Sequence, residues 1–399
     1  MYDVLEGIKV VEVASWTFVP TAAAVLADWG ADVVKVEHPV TGDPQRGLIN
    51  ALTSDTGPNP MMEVPNRGKR SIAIDISEPD GLTLLYRLVA EADVFITNFL
   101  SKTRASLRID ASDILGQNPA IIYARGTGQG LVGPEAERGG FDMSAAWARG
   151  GLAYLMAHDG VPPFMPASIG DLTGGLNLAG GIAAALLRRE RTGVGGVVDM
   201  SLYTTGMWMI SQAISAANIG RRQPPISRLT TFNPLVNFYP TRDERWICLV
   251  MLQADRWWPD LARHIGRPDL IDNPTFSTAE ARQENIGVVV ETLDAIFKTR
   301  TLDEWSSALA TAEGVWAPVL SPEDICEDQQ ALACGFLPSV VTGDGSSLRV
   351  VASPAQFDEK PIGELRRAPE HGEHTEEILL ELGCDWADIG DFKERGIIG

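Results

Sequence analysis

The sequence predicts an α/β protein: a large, doubly wound, Rossmann-like domain carrying a smaller α+β domain. Three observations point there. Between Ile8 and Val36 the chain runs β-rich, helical and β-rich again, a spacing that fits a βαβ unit with a right-handed crossover. The same alternation continues to Ala124. After Arg221 the pattern changes to hairpin-like sequence followed by consecutive helices.

Taken in order, Ile8, Val10, Val11 and Val13 form the first strand, and Thr21–Trp29 an alanine-rich helix stopped by Gly30. Val33, Val34 and Val36 form the second strand and Ile72–Ile76 the third. Ser77 precedes a helix through Ala90, with Pro79 near its start, where the missing N–H has no partner to lose. Val94–Thr97 is a strand, Ala111–Gln117 a short helix and Ala120–Ala124 a strand. The apolar run Leu176–Leu187 is the body of a helix that opens near Asp171, ends in Arg188, Arg189 and Arg191, and stops at Gly193. Val197–Ser201 is a further strand, and a Met/Trp-rich helix spans Leu202 to about Ala217. Arg221–Pro225 reads as a linker and Phe232–Cys248 as a hairpin around Thr241–Glu244. Helices follow near 255–264, 278–298 and 301–312. Val315–Val319 and Leu348–Ala352 are strand-like, and Thr375–Leu382 is a helix capped by Gly383. Residues 1–220 and 316–399 are thus assigned to the large domain and 230–315 to the small one.

A total of 33 basic against 53 acidic residues gives a formal charge of −20. That disfavours nucleic acid or an anionic membrane as partner, since both attract basic surfaces. An anionic small ligand then needs locally concentrated cations. Cys248, Cys326, Cys334 and Cys384 show no CxxC and no pairing with histidine, so they are expected as reduced, buried small hydrophobes of a cytoplasmic protein. The five histidines are scattered, and no metal site is expected. Met1–Glu6 is acidic with no secretory h-region. The run Leu176–Leu187 is too short and too rich in glycine for a membrane span.

Candidate chemistry gathers around Ile169–Gly175. Asp171 falls in the first turn of the long helix. A carboxylate there is either an N-cap or, kept ionised by free N–H groups and the helix dipole (roughly 0.3–1 kcal/mol when exposed), a nucleophile. Gly128–Gly133 matches GxGxxG after a strand, but Pro134 and residues 135–140 read as a loop. A dinucleotide site needs a helix there, so NAD or FAD is not expected. Asn66–Arg70 sets three cations around a glycine, which makes either a phosphate cradle or a solvated basic turn. Met207, Trp208, Met209 and Trp316 either line an apolar acyl pocket or belong to the core.

In order and spacing, these pieces resemble the family III CoA-transferases, which include α-methylacyl-CoA racemases. The resemblance runs through Leu5–Val10 to Pro20, Leu26–Glu37, Gly42-Asp43, Arg46-Gly47, Asn66–Asp75, Ala92–Phe99, Gly126–Pro134, Gly140–Asp142, Gly170-Asp171 and its helix, Arg367–Pro369 and Gly372–Thr375. It implies Asp171 as nucleophile. It implies CoA contacts at Trp16, Thr17 and Phe18 in the first βα turn, at His38, at Lys69, and at Asn98 and Phe99. It also implies an interlocked-ring homodimer with acyl-CoA and a small carboxylic acid as substrates and no permanently bound cofactor. The chain departs from the family at Leu100–Lys102, where Arg-Pro-Gly is common, leaving Arg104 or Arg108 as phosphate contacts. It carries Phe232–Leu235 where the oxalate-type enzymes have a glycine-rich loop. The racemase branch needs a histidine base in a Gly-His-Asp segment, and here Phe141 stands between Gly140 and Asp142. A transferase is therefore expected, with Asp142 orienting a carboxylate, contacting substrate or capping a loop. A racemase and a non-catalytic CoA-binding protein are the alternatives.

Overall fold

The computed structural model describes residues 1–51, 58–166, 168–221, 224–343 and 345–399. The chain forms two compact units. Met1–Tyr154, Phe164–Arg221 and Asp328–Gly399 make the large one, Leu155–Pro163 and Arg222–Glu327 the small one. Within the expected linker, Arg222 and Gln223 lie outside the described residues.

The large unit is built on six parallel strands: β1 (Lys9–Val13), β2 (Asp32–Glu37), β3 (Arg70–Ala73), β4 (Val94–Thr97), β5 (Ile122–Thr127) and β6 (Gly196–Ser201). Their order is β3-β2-β1-β4-β5-β6. The winding reverses between β1 and β4, so the crevice beyond their C-terminal ends is the switch point where doubly wound sheets bind ligands. Both faces of β1 are covered, with Val10 in one apolar core and Val11 in the other. That is why these strands read as near-continuous apolar runs.

Helix α1 (Phe18–Asp28) is buried along its whole length. It starts three residues before the expected Thr21, because Pro20 fits the first turn of a helix. The long helix, Ile169–Thr192, packs against α1 at close range. A Cβ on Gly174 would stand 2.7 Å from Phe18 Cε2, and one on Gly175 only 2.6 Å from Thr21 Cβ. With 24 residues it is long and apolar enough by composition to cross a membrane, longer than the sequence run suggested. Here its glycine-bearing face lies on α1 within the large unit.

Three expectations are corrected. Trp316–Pro318 does not return to the large unit: it pairs with the hairpin Val236–Pro240/Trp246–Val250 as a third antiparallel strand, and the large unit resumes at Asp328. The helices expected over Leu202–Ala217 and 278–298 are each broken in two, at Ile210 and Asn285. Of the four cysteines only Cys384 is buried, and Cys326 is exposed. Among the helices the sequence does not announce are Pro60–Asn66, which contains Pro65, the short Ser101–Ser106, and Trp386–Glu394, which contains Gly390.

Candidate active site

A cavity of about 440 Å³ opens beyond the C-terminal ends of β4 and β5. Trp16 and Phe18 enter it from the turn after β1, Asn98, Phe99 and Leu100 from the turn after β4. Gly126–Gly128 at the end of β5, the loop residues Leu131 and Gly139–Phe141, and Leu202 complete the wall. Asp171 reaches the same cavity from the first turn of the long helix. Volume and lining match a small-ligand site, mostly apolar with a few polar groups.

Asp171 is not the cap of its helix. Ser168 holds that position, and Asp171 lies three residues further in. Nor is it held ionised. Burial, and after it the charge of Asp142, push the Asp171 carboxyl up to about 8. Its neighbour Asp142 has its Oδ1 bound to the Met143 N–H at 2.7 Å, opening a π-helical segment, Met143–Arg149. Burial also raises the Asp142 carboxyl, against the pull of the Met143, Asp171 and Gly170 amides. Its Oδ2 is buried at the start of the long helix, close enough to the Gly170 and Asp171 amides to feel their pull. The Asp142 side chain packs on Gly170, where a Cβ would meet its own Cβ at 2.8 Å. Two carboxyls in one water-poor corner cannot both ionise cheaply. They titrate as a pair.

The structure brings Trp16, Phe18, Asn98, Phe99, Arg104 and Asp171 to one cavity. Thr17 lies behind it, buried, its Oγ1 accepting from Gln45 Nε2 at 3.1 Å. His38 is outside the lining, its Nδ1 accepting the Val40 N–H at 3.1 Å and its Nε2 facing Asp75 at 3.5 Å. Lys69 is also outside and fully buried. Its Nζ is bound to Glu12 at 2.5 Å, the Pro20 carbonyl at 2.9 Å and Asn66 Oδ1 at 3.0 Å. Burial pulls it down to about 8, despite Glu12. Arg67 is bound to Asp28, and Arg70 to Asp32, Glu377 and Glu381. All three cations of the basic turn are thus engaged in ion pairs within the chain, Arg67 and Lys69 buried and Arg70 nearer the surface. Arg104 lines the cavity yet is already engaged, with Nη1 on the Phe99 carbonyl at 2.6 Å and Nε on Asp110 at 3.1 Å.

Phe141, at the position where the resemblance expects a histidine in the racemase branch, meets Trp16 edge-on at 5.5 Å. The GxGxxG stretch forms a loop whose Gly128 lies against Gly140. Leu131, Glu137 and Arg138 also line the cavity, and nothing in their spacing marks them in the sequence. Trp208 is exposed, and Met207, Met209 and Trp316 are not part of the lining.

Residues 5–375 match CoA-transferase family III. The chain belongs to this family. Over 99% of both chains it is 33% identical to (R)-2-hydroxy-4-methylpentanoate CoA-transferase of Clostridioides difficile. It is 29% identical to cinnamoyl-CoA:phenyllactate CoA-transferase of Clostridium sporogenes, over 98% of this chain and 96% of that one. A crystal structure of a CAIB/BAIF family protein from Brucella suis superposes with a TM-score of 0.84 at 29% identity, covering 95% of this chain and 99% of that one. This family III CoA-transferase therefore uses acyl-CoA as substrate.

Proposed function

We propose that the enzyme moves CoA from an acyl-CoA to an acceptor carboxylic acid with Asp171 as covalent nucleophile. The observation that carries this is the Asp171 carboxyl, half-buried at a helix start and facing the cavity that Trp16 and Phe18 of the first βα turn also line. In its ionised form Asp171 attacks the thioester carbonyl. The C–S bond breaks, leaving a mixed anhydride and CoA thiolate. The thiolate attacks the aspartyl carbonyl and expels the donor acid as carboxylate, leaving an aspartyl-CoA thioester. The acceptor carboxylate attacks that thioester, releasing thiolate and forming a second anhydride. The thiolate then takes the acceptor's acyl group and restores Asp171. A carboxylate suits this task because only an anhydride stays as reactive as the thioester being exchanged. Gly139 and Gly140 line the cavity, and in this reading their amides stabilise the oxyanion. Gly174 and Gly175 serve the packing against α1 instead.

The acids it exchanges are, in this reading, apolar monocarboxylates. Trp16, Phe18, Phe99, Leu131, Phe141 and Leu202 supply the walls, while Arg104 is engaged with Phe99 and Asp110, and Arg138 with Glu135. A second carboxylate on the acid would have to compete for lining cations that are already paired, Arg104 from within and Arg138 at the exposed rim. The proposal includes a homodimer in the cytoplasm.

Mass spectrometry after incubation with a panel of acyl-CoAs in D₂O tests the reading. A CoA adduct on the Asp171 peptide is expected, strongest with branched or aryl acyl groups and weakest with succinyl-CoA, and absent in Asp171→Ala. Deuterium in recovered acyl-CoA with unmodified protein would establish racemase chemistry instead, and CoA binding with neither change would leave a binding protein.

A further inference from the structure

Trp16 stands on a backbone that a bulky residue rarely adopts, with φ +69° in the left-handed region. Two clamps hold it. On one side Asn98, just past β4, accepts the Ser15 N–H at 3.1 Å and donates to the Ser15 carbonyl at 2.6 Å. On the other, Asp43 Oδ1 accepts the Trp16 N–H at 3.0 Å and the Gln45 N–H at 2.9 Å. Asp43 is itself anchored from behind. Its Oδ2 pairs with Lys35 at 2.8 Å, Lys35 pairs with Glu12 at 2.7 Å, and Glu12 pairs with Lys69 at 2.5 Å. All four side chains are 0% exposed. The Asp43 N–H donates to Glu37 Oε2 at 3.0 Å, which anchors its backbone.

Buried charges are tolerated only when paired, and replacing such a set with apolar residues is often neutral or stabilising. None of these four residues lines the cavity. Where the row of charges meets the site is the Trp16 N–H. The Trp16 indole in turn faces Phe141 in the cavity that Asp171 lines.

We infer that Asp43 is a positioning residue for the transfer reaction: through the Trp16 N–H it fixes the strained first turn, so that Trp16 and Phe141 hold the thioester end of acyl-CoA toward Asp171. The inference rests on the proposed reaction. It adds to it a residue outside the cavity that acts on the substrate only through another.

A double-variant cycle in the full chain separates this role from a merely structural one. Asp43→Ala is expected to lower kcat/KM for acyl-CoA about tenfold or more, the scale set by small misplacements of reacting groups. Asp43→Asn, which keeps the acceptor oxygen, is expected to lose only about threefold. In a Trp16→Ala background both losses should vanish to within about twofold, because groups that act through one contact are not additive. Losses that multiply instead would overturn the inference. So would a lowered melting temperature with unchanged kcat/KM. Should Asp43→Ala fail to fold, the Asp43→Asn cycle decides alone. A wild-type protein that binds CoA without transferring it sinks the proposed reaction only; CoA affinity then replaces kcat/KM, and the same comparison still decides the role of Asp43.

Discussion

At the residue scale, the central fact is that Asp171 carries a carboxyl pushed up to about 8, first by burial and second by Asp142. Only the ionised form attacks a thioester, so kcat/KM for acyl-CoA should rise as pH rises through about 8. Asp142→Asn removes the like charge but leaves the burial. Its rising limb should therefore move to lower pH without reaching the ordinary carboxylate range. The pH profile of kcat/KM for the two proteins checks this, and an unmoved limb would show that Asp142 is not felt by the nucleophile. The place of Asp171 in a first helical turn is visible in the sequence, because Gly193 and the preceding arginines fix the other end of that helix. Its protonation is not, because it depends on burial and on a neighbour from another segment. Lys69 teaches the same lesson. Three cations around a glycine suggest phosphate, yet their partners lie elsewhere in the chain. One clue was available: Glu12 and Lys35 interrupt two apolar strands, and adjacent parallel strands place them in direct register. Charges in strands covered on both faces must pair.

At the element scale, the long helix and α1 meet through glycine. Gly175→Ala would bring a Cβ within 2.7 Å of the Phe18 carbonyl and 2.6 Å of Thr21 Cβ, neither of which can yield in a buried helix. Overpacking of this kind costs about 1–3 kcal/mol, more than the ~1 kcal/mol that alanine gains over glycine in a helix interior. Gly175→Ala should thus lower the melting temperature. Gly180→Ala, on the same helix with nothing within 4 Å of its Cβ, should raise it by the propensity gain alone. Calorimetry of the pair separates packing from propensity, and equal shifts in one direction would refute the contact. Strand identities were legible because buried parallel strands are apolar and short. Breaks at Ile210 and Asn285 were not, since neither position carries a glycine or proline to mark it. The third strand of the small sheet was misplaced for a related reason. Trp316–Pro318 reads as a strand, but which sheet receives it is decided by pairing with Leu249, far away in sequence.

At the scale of the whole molecule, the large unit leaves apolar surface that one chain does not cover. Tyr154, Phe164, Trp208 and Ile219 are 64%, 86%, 72% and 70% exposed. The helix Ser211–Asn218 buries none of its residues. An eight-residue helix is too short to persist in water on propensity, and depends on packing of one face. Single exposed apolar residues are unremarkable, but Trp208 and Ile219 flank in sequence a helix that buries none of its residues, which is the composition expected of a contact surface. In the proposed homodimer a second copy of the chain covers that surface. The protein should then sediment at twice the mass of one chain across the micromolar range. Trp208→Glu, which would place a charge among these apolar groups, should shift the equilibrium toward monomer and lower activity at low protein concentration while sparing it at high concentration. Sedimentation and specific activity measured over the same dilution series should fall together. A wild-type protein that stays monomeric at every concentration would remove the dimer from the proposal and require another partner for the Ser211–Asn218 helix.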